Sequence, residues 1–151
     1  MIAGESVDDD VFAHFHDVLI DRDNIAHYRA LMQGRLVINR CRDCGHWIYP
    51  HRPLCPQCLS WAVEPAEVSG KGTLYMNTVI YQSRDPDNPL YEPVVVAAVE
   101  LVEQKGLRYL SRIVNCPPEA LAHDMPLRLT WIEQDDGRRW PAFEPACAGA
   151  D

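Results

Sequence analysis

Two Cys-x-x-Cys pairs, Cys41-Arg-Asp-Cys44-Gly45 and Cys55-Pro-Gln-Cys58, stand ten residues apart in a chain of 151 residues. No other feature constrains the fold as tightly. A two-residue spacing lets both sulfurs of a pair face one ion from a tight turn, whose backbone amides can also donate to the thiolates. Zinc takes four thiolates in a tetrahedron and needs no open position when its role is structural. The ten-residue separation is shorter than the roughly 15–20 residues common in zinc ribbons, yet a hairpin of two four-residue strands fits within it. Cys41, Cys44, Cys55 and Cys58 are therefore the expected ligands of one structural zinc ion. Two alternatives stay open at this point: iron in a rubredoxin-like electron carrier, since soft sulfur sites admit both metals, and plain buried thiols. His46 and His51 lie near the pairs, but four sulfurs leave them no vacancy.

The metal module is expected over residues 35–65. Leu36 to Arg40 reads as a strand entering the first pair and Trp47 to Tyr49 as the strand returning, while Pro50, Pro53 and Pro56 argue against a helix. Residues 1–34 form an N-terminal helical segment, with the helical signal over 8–34. Ile25, Tyr28, Leu31 and Met32 share one helix face, Asp23 or Asn24 can cap its start, and Gly34 suits a left-handed end. The earlier piece Val11 to Phe15 can form a separate turn or two. From Val68 onward the signals are strands: Lys71–Tyr81, with Leu74, Met76 and Ile80 on one face; the apolar run Pro93–Leu101; Leu107–Val114; the alternation of Leu127, Leu129 and Trp131; and Trp140–Phe143. Five strands with turns between them suit a small barrel such as the OB-fold over residues 66–146, with a short helix at 117–121 and a tail at 147–151. The fold class is thus mainly β, with N-terminal helices, a rubredoxin-like zinc ribbon and a five-stranded OB-fold barrel.

Composition narrows the function. No apolar run approaches the roughly 20 residues of a membrane-spanning helix. The stretch Met1–Asp10 carries Glu5, Asp8, Asp9 and Asp10 and no basic residue, which does not resemble a secretory signal, so a cytoplasmic location is expected. The net charge is −8, yet residues 31–60 hold four bases and one acid, and this cysteine-bearing stretch is the basic part of the chain. An acidic protein is a poor general binder of nucleic acid, because phosphate neutralisation supplies most non-specific affinity. A single-strand nucleic-acid-binding ribbon/OB protein is the alternative function, with Tyr75 and Tyr81 as stacking candidates. No catalytic constellation stands out. Cys116, in Asn115-Cys116-Pro117-Pro118, reads as a buried or loop thiol and Cys147 as an inert tail residue. His14, His16, His27 and His123 read as solvated or locally bonded, and Gly70-Lys71-Gly72 is too short to cradle a phosphate.

The segments Gly34–Val37, Cys41–Gly45, Pro53–Cys58, Val68–Tyr75, Glu92–Ala97 and Pro141–Pro145 together resemble a known family. It joins N-terminal helices to a rubredoxin-like zinc ribbon and a C-terminal OB-fold, and was long described as a domain of unknown function. The resemblance covers residues 23–146, although members often carry Phe-Trp where this chain has His27-Tyr28. It implies a non-catalytic small subunit that assembles with a thiolase-fold enzyme acting on acyl-CoA thioesters: a thiolase, an acyltransferase, or an aldolase of lipid or aromatic degradation. The nucleophile would sit on the large subunit. A coenzyme A ligand carries several negative charges, which Arg and Lys hold well. Arg40, Arg42 and Arg52 around the metal module and Lys71 at the barrel entrance are the cations this implies.

Overall fold

The structure is a computed structural model and describes residues 8–146. Glu5, Cys147 and the 147–151 tail lie outside the described residues. The chain divides into two compact units. One comprises the chain up to Glu67 together with Glu133–Trp140; the other comprises Val68–Ile132 and the chain from Pro141 onward.

The first unit opens with helices α1 (Asp9–His14) and α2 (Ile25–Met32). The 8–34 helical signal is broken because the Asp21 carboxylate accepts from the backbone N–H groups of Asp23 and Asn24, and Asn24 Oδ1 accepts from Asp21 N–H at 2.8 Å. Such short polar side chains compete with helix hydrogen bonds and stop the ladder. Gly34 takes φ +71° just after α2, where Arg35 N–H returns to Ala30 O, the left-handed end expected of it. The buried face of α2 matches the expected one only in part: Leu31 is buried with His27 and Ala30, whereas Ile25, Tyr28 and Met32 are half-buried. The polar His27 is accepted in the core because its Nδ1 donates to the Val37 carbonyl at 2.9 Å.

Strands β1 (Val37–Cys41), β2 (Trp47–Ile48) and β3 (Val63–Glu67) form an antiparallel sheet in the order β2-β1-β3. Strand β3 is absent from the sequence reading because Pro65 sits at its centre, opposite Asn39. Proline is tolerated there because β3 is an edge strand. The segment 133–140 completes this unit: the Trp140 ring lies 5.3 Å from that of Phe15, and Arg138 pairs with Asp17 and Asp136.

Strands β4 (Lys71–Ile80), β5 (Val94–Leu101), β6 (Arg108–Ile113), β7 (Pro126–Glu133) and β8 (Arg139–Pro145) close a barrel in the order β4-β5-β6-β8-β7. The β6–β8 pairing is parallel, whereas β4–β5, β5–β6 and β4–β7 are antiparallel. A 3-10 turn at Pro118–Ala120 occupies the place expected for a short helix. Leu74, Val95, Ala97, Val99, Leu101, Tyr109, Leu127 and Phe143 fill the second unit's interior. The expected common face of Leu74, Met76 and Ile80 does not form. A β-bulge between Leu74 and Met76 shifts the register, so Leu74 is buried while Met76 and Ile80 face outward. One extra residue reverses the alternation for the rest of the strand. No helix among the described residues is long and apolar enough to cross a membrane.

Candidate metal centre

Each cysteine pair sits on a tight turn, and the two turns repeat the same bonds. Gly45 N–H reaches Cys41 O at 2.9 Å and Leu59 N–H reaches Cys55 O at 2.9 Å. Cys41 N–H reaches His46 O at 2.8 Å and Cys55 N–H reaches Ser60 O at 2.9 Å. Strand β1 delivers Cys41 and β2 follows from the first turn, so the sheet fixes where that turn points. All four sulfurs lie within 4.8 Å of one another, with Cys41–Cys58 and Cys44–Cys55 both at 3.6 Å. That spacing is too long for a disulfide. It matches the edge of a tetrahedron with a Zn–S bond of about 2.3 Å, which is about 3.8 Å. Cys41 and Cys55 are buried against Ile48 and Val63, while Cys44 and Cys58 are exposed.

The electrostatics of the four thiols suit a cation. The backbone N–H groups of Cys44 and Asp43 donate to Cys41 and hold its thiol down to about 7. Ser60 N–H acts the same way on Cys58, but burial and the sulfurs of Cys44, Cys41 and Cys55 push that thiol up to about 12. Without a metal, one thiolate therefore makes the next one costly. A divalent ion at the centre removes that conflict and brings out all four protons. His51 is not at the cluster: its ring packs 4.8 Å from His27 and 5.5 Å from Tyr49. Burial pushes both His27 and His51 below the usual imidazole range, His27 to about 4 with the His51 charge also acting against it.

The three expected arginines of the first unit border two different grooves. Arg40 donates from Nε to the Gly45 carbonyl at 3.1 Å and lies 5.0 Å from the Trp47 ring. Arg42 sits 3.7 Å from the Glu64 carboxylate, and both arginines border a groove of about 420 Å³ beside Cys41. Arg52 lines a second groove of about 400 Å³ with Arg22, Pro53, Trp61 and Val63. Among the described residues Arg52 meets no carboxylate within 4.0 Å, whereas Arg22 lies 3.7 Å from Asp23. Lys71 belongs to the other unit and starts β4 opposite Arg128. Of the two stacking candidates, Tyr75 is covered by the Arg108 guanidinium at 3.5 Å, and Tyr81 is exposed. Cys116 is half-buried and turns its thiol to the Pro117 carbonyl.

Two features escape the motif reading. Leu59 takes φ +61°, a left-handed conformation that costs a non-glycine residue about 1 kcal/mol or more. Leu59 and Trp61 are also largely exposed, at 69% and 71%. The signal for Leu59 was present in the sequence: the first pair is followed by glycine and the second by leucine.

Comparison with known families rests on the same two parts. Residues 29–64 match the ChsH2 rubredoxin-like zinc ribbon domain and residues 66–131 match the ChsH2 C-terminal OB-fold domain. A DUF35 domain-containing scaffold protein of Methanothermobacter thermautotrophicus is 37% identical over 104 residues, covering 66% of this chain and 76% of that protein. The chain belongs to the DUF35 family. This DUF35 chain is also 38% identical over 128 residues to a probable enoyl-CoA hydratase alpha subunit of Thermomonospora curvata, covering 84% of this chain. It spans about two fifths of that relative's length, 39%. Among solved structures, the Ltp2-ChsH2(DUF35) aldolase superposes with a TM-score of 0.74 at 36% identity, over 85% of this chain and 98% of that one. The four-cysteine cluster and the ribbon match together support a structural zinc.

Proposed function

We propose that this DUF35 chain is a non-catalytic subunit of a cytoplasmic enzyme complex acting on acyl-CoA thioesters, assembled with a thiolase-fold subunit that carries the nucleophile. The observation that carries this reading is the likeness over 98% of the matching chain in the Ltp2-ChsH2(DUF35) aldolase, ribbon and barrel together. The scaffold and hydratase-subunit descriptions of its relatives point the same way. In this reading Cys41, Cys44, Cys55 and Cys58 hold Zn2+, and the ion's contribution is architectural: it pins the two turns to the ribbon sheet. Arg40, Arg42, Arg52 and Lys71 are the proposed contacts to the phosphates of coenzyme A. The enzyme's chemistry stays on the partner, and this chain shapes and stabilises it.

The test is co-expression of the full chain with a thiolase-fold candidate subunit from the same source, followed by acyl-CoA turnover assays. A stable complex that turns over substrate, beside a DUF35 chain that is inert alone, is the expected result. Turnover by the isolated chain, or failure to associate, overturns the reading.

A further inference from the structure

The two cysteine turns share the same pair of backbone bonds, which makes a difference in their backbone positions informative. After Cys44 the left-handed position is held by Gly45 at φ +78°; after Cys58 it is held by Leu59 at φ +61°. Glycine occupies this region freely, whereas a side chain with a Cβ crowds the following carbonyl. The Leu59 side chain does not repay that strain within the fold, because it is 69% exposed. Two residues on, Trp61 is 71% exposed. The segment that carries them is firmly held. The Ser60 hydroxyl bonds the Asp43 carboxylate and accepts from Ala62 N–H at 3.0 Å, and Arg42 N–H reaches Ala62 O at 2.8 Å. A strained leucine and an indole are thus presented to solvent on a segment held by these bonds beside the cysteine cluster.

We infer that the turn bearing Leu59 and Trp61 is a docking prong for the enzyme subunit of the proposed complex, and so rests on that reading. The partner chemistry follows from the surroundings. Trp61 lines the groove with Arg52, Pro53, Val63 and the Arg22–Asp23 pair, 3.7 Å apart, so Arg52 is the groove's cation with no carboxylate within 4.0 Å among the described residues. Tryptophan and arginine dominate the energetic centres of protein interfaces. The ribbon stretch is also the basic part of an otherwise acidic chain. The occupant that complements this surface is an apolar pocket on the enzyme subunit, with a carboxylate on its rim that meets Arg52. Opposite charge at such a rim speeds association and fixes orientation.

The strain makes the test decisive, because it separates folding from docking. The full zinc-loaded chain and its Leu59→Gly, Trp61→Ala and Arg52→Glu variants would be titrated, without coenzyme A, against the thiolase-fold subunit recovered in the co-expression test. Leu59→Gly is expected to raise the melting temperature by about 2–4 °C while weakening the complex several-fold. Trp61→Ala is expected to weaken it about tenfold or more. Arg52→Glu is expected to slow association and reduce its salt dependence. Wild-type affinity in both Leu59→Gly and Trp61→Ala overturns the inference and leaves the proposed complex standing. A lower melting temperature for Leu59→Gly removes its premise and overturns it as well. A wild-type chain that does not bind overturns the parent reading and this one together.

Discussion

The cysteine turns and the barrel hold their shape by different means. Around the cysteines the buried apolar cluster is small: Cys41, Ile48 and Cys55, with Val63 packed against them. Strand β2 is only two residues long, and β3 carries a proline at its centre. So little apolar surface surrounds the sulfurs that the geometry of the two turns is expected to depend on ligands gathered around an ion. The barrel needs no ion. Its closed strand order leaves no open edge, and a continuous interior runs from Leu74 through Val99 and Leu127 to Phe143. One module is organised by four directed bonds and the other by non-directional burial, so the same perturbation should act unequally on them.

The largest effect expected from that contrast is removal of a ligand. Cys55→Ser should abolish metal binding and unfold the ribbon, since structural zinc contributes on the order of 10 kcal/mol to such modules. Amide hydrogen exchange should then show lost protection over residues 37–67 and retained protection in β4–β6. Equal loss in both would break the comparison. Next is the barrel core: Phe143→Ala removes a fully buried ring and should cost about 3–5 kcal/mol in denaturant unfolding. Metal content should stay at one ion per folded chain.

A smaller effect comes from pH and belongs to the first unit. His27 titrates in the fold at about 4, against 6.5 for the free side chain, chiefly because it is buried. The unfolded chain therefore binds a proton first as pH falls. The stability due to neutral His27 is fully present above about pH 6.5 and is lost as pH falls through about 4, amounting to about 3 kcal/mol. His27→Phe should flatten the profile over that window, which urea titrations at several pH values would show. The smallest effect is at the barrel entrance. A Cβ on Gly72 would stand 2.7 Å from both the Glu100 carbonyl and Val99 Cγ1. Gly72→Ala should cost about 1–3 kcal/mol without altering the metal site.

Much of this architecture was legible in the residues, for reasons that differ by region. The cysteine spacing fixed the turns because two intervening residues leave few ways to aim both sulfurs inward. Alternation along β7 and the apolar run of β5 marked their strands directly. What escaped notice depended on partners distant in the chain. Pro65 reads as a strand breaker until β1 is seen to make β3 an edge. Met76 reads as core until the bulge at Tyr75 reverses the face. His27 reads as solvated or locally bonded, and only the fold shows that its partner is the Val37 carbonyl in the core. Arg40 and Arg52 are close in sequence but border different grooves, which their spacing does not reveal.

The most direct test of the central claim is elemental analysis of the purified full-length chain, paired with unfolding before and after chelation. The account predicts one zinc per chain and, after chelation, loss of the ribbon's protection while the barrel persists. A folded chain with no zinc, or with iron in its place, or one whose ribbon is indifferent to the chelator, would contradict it.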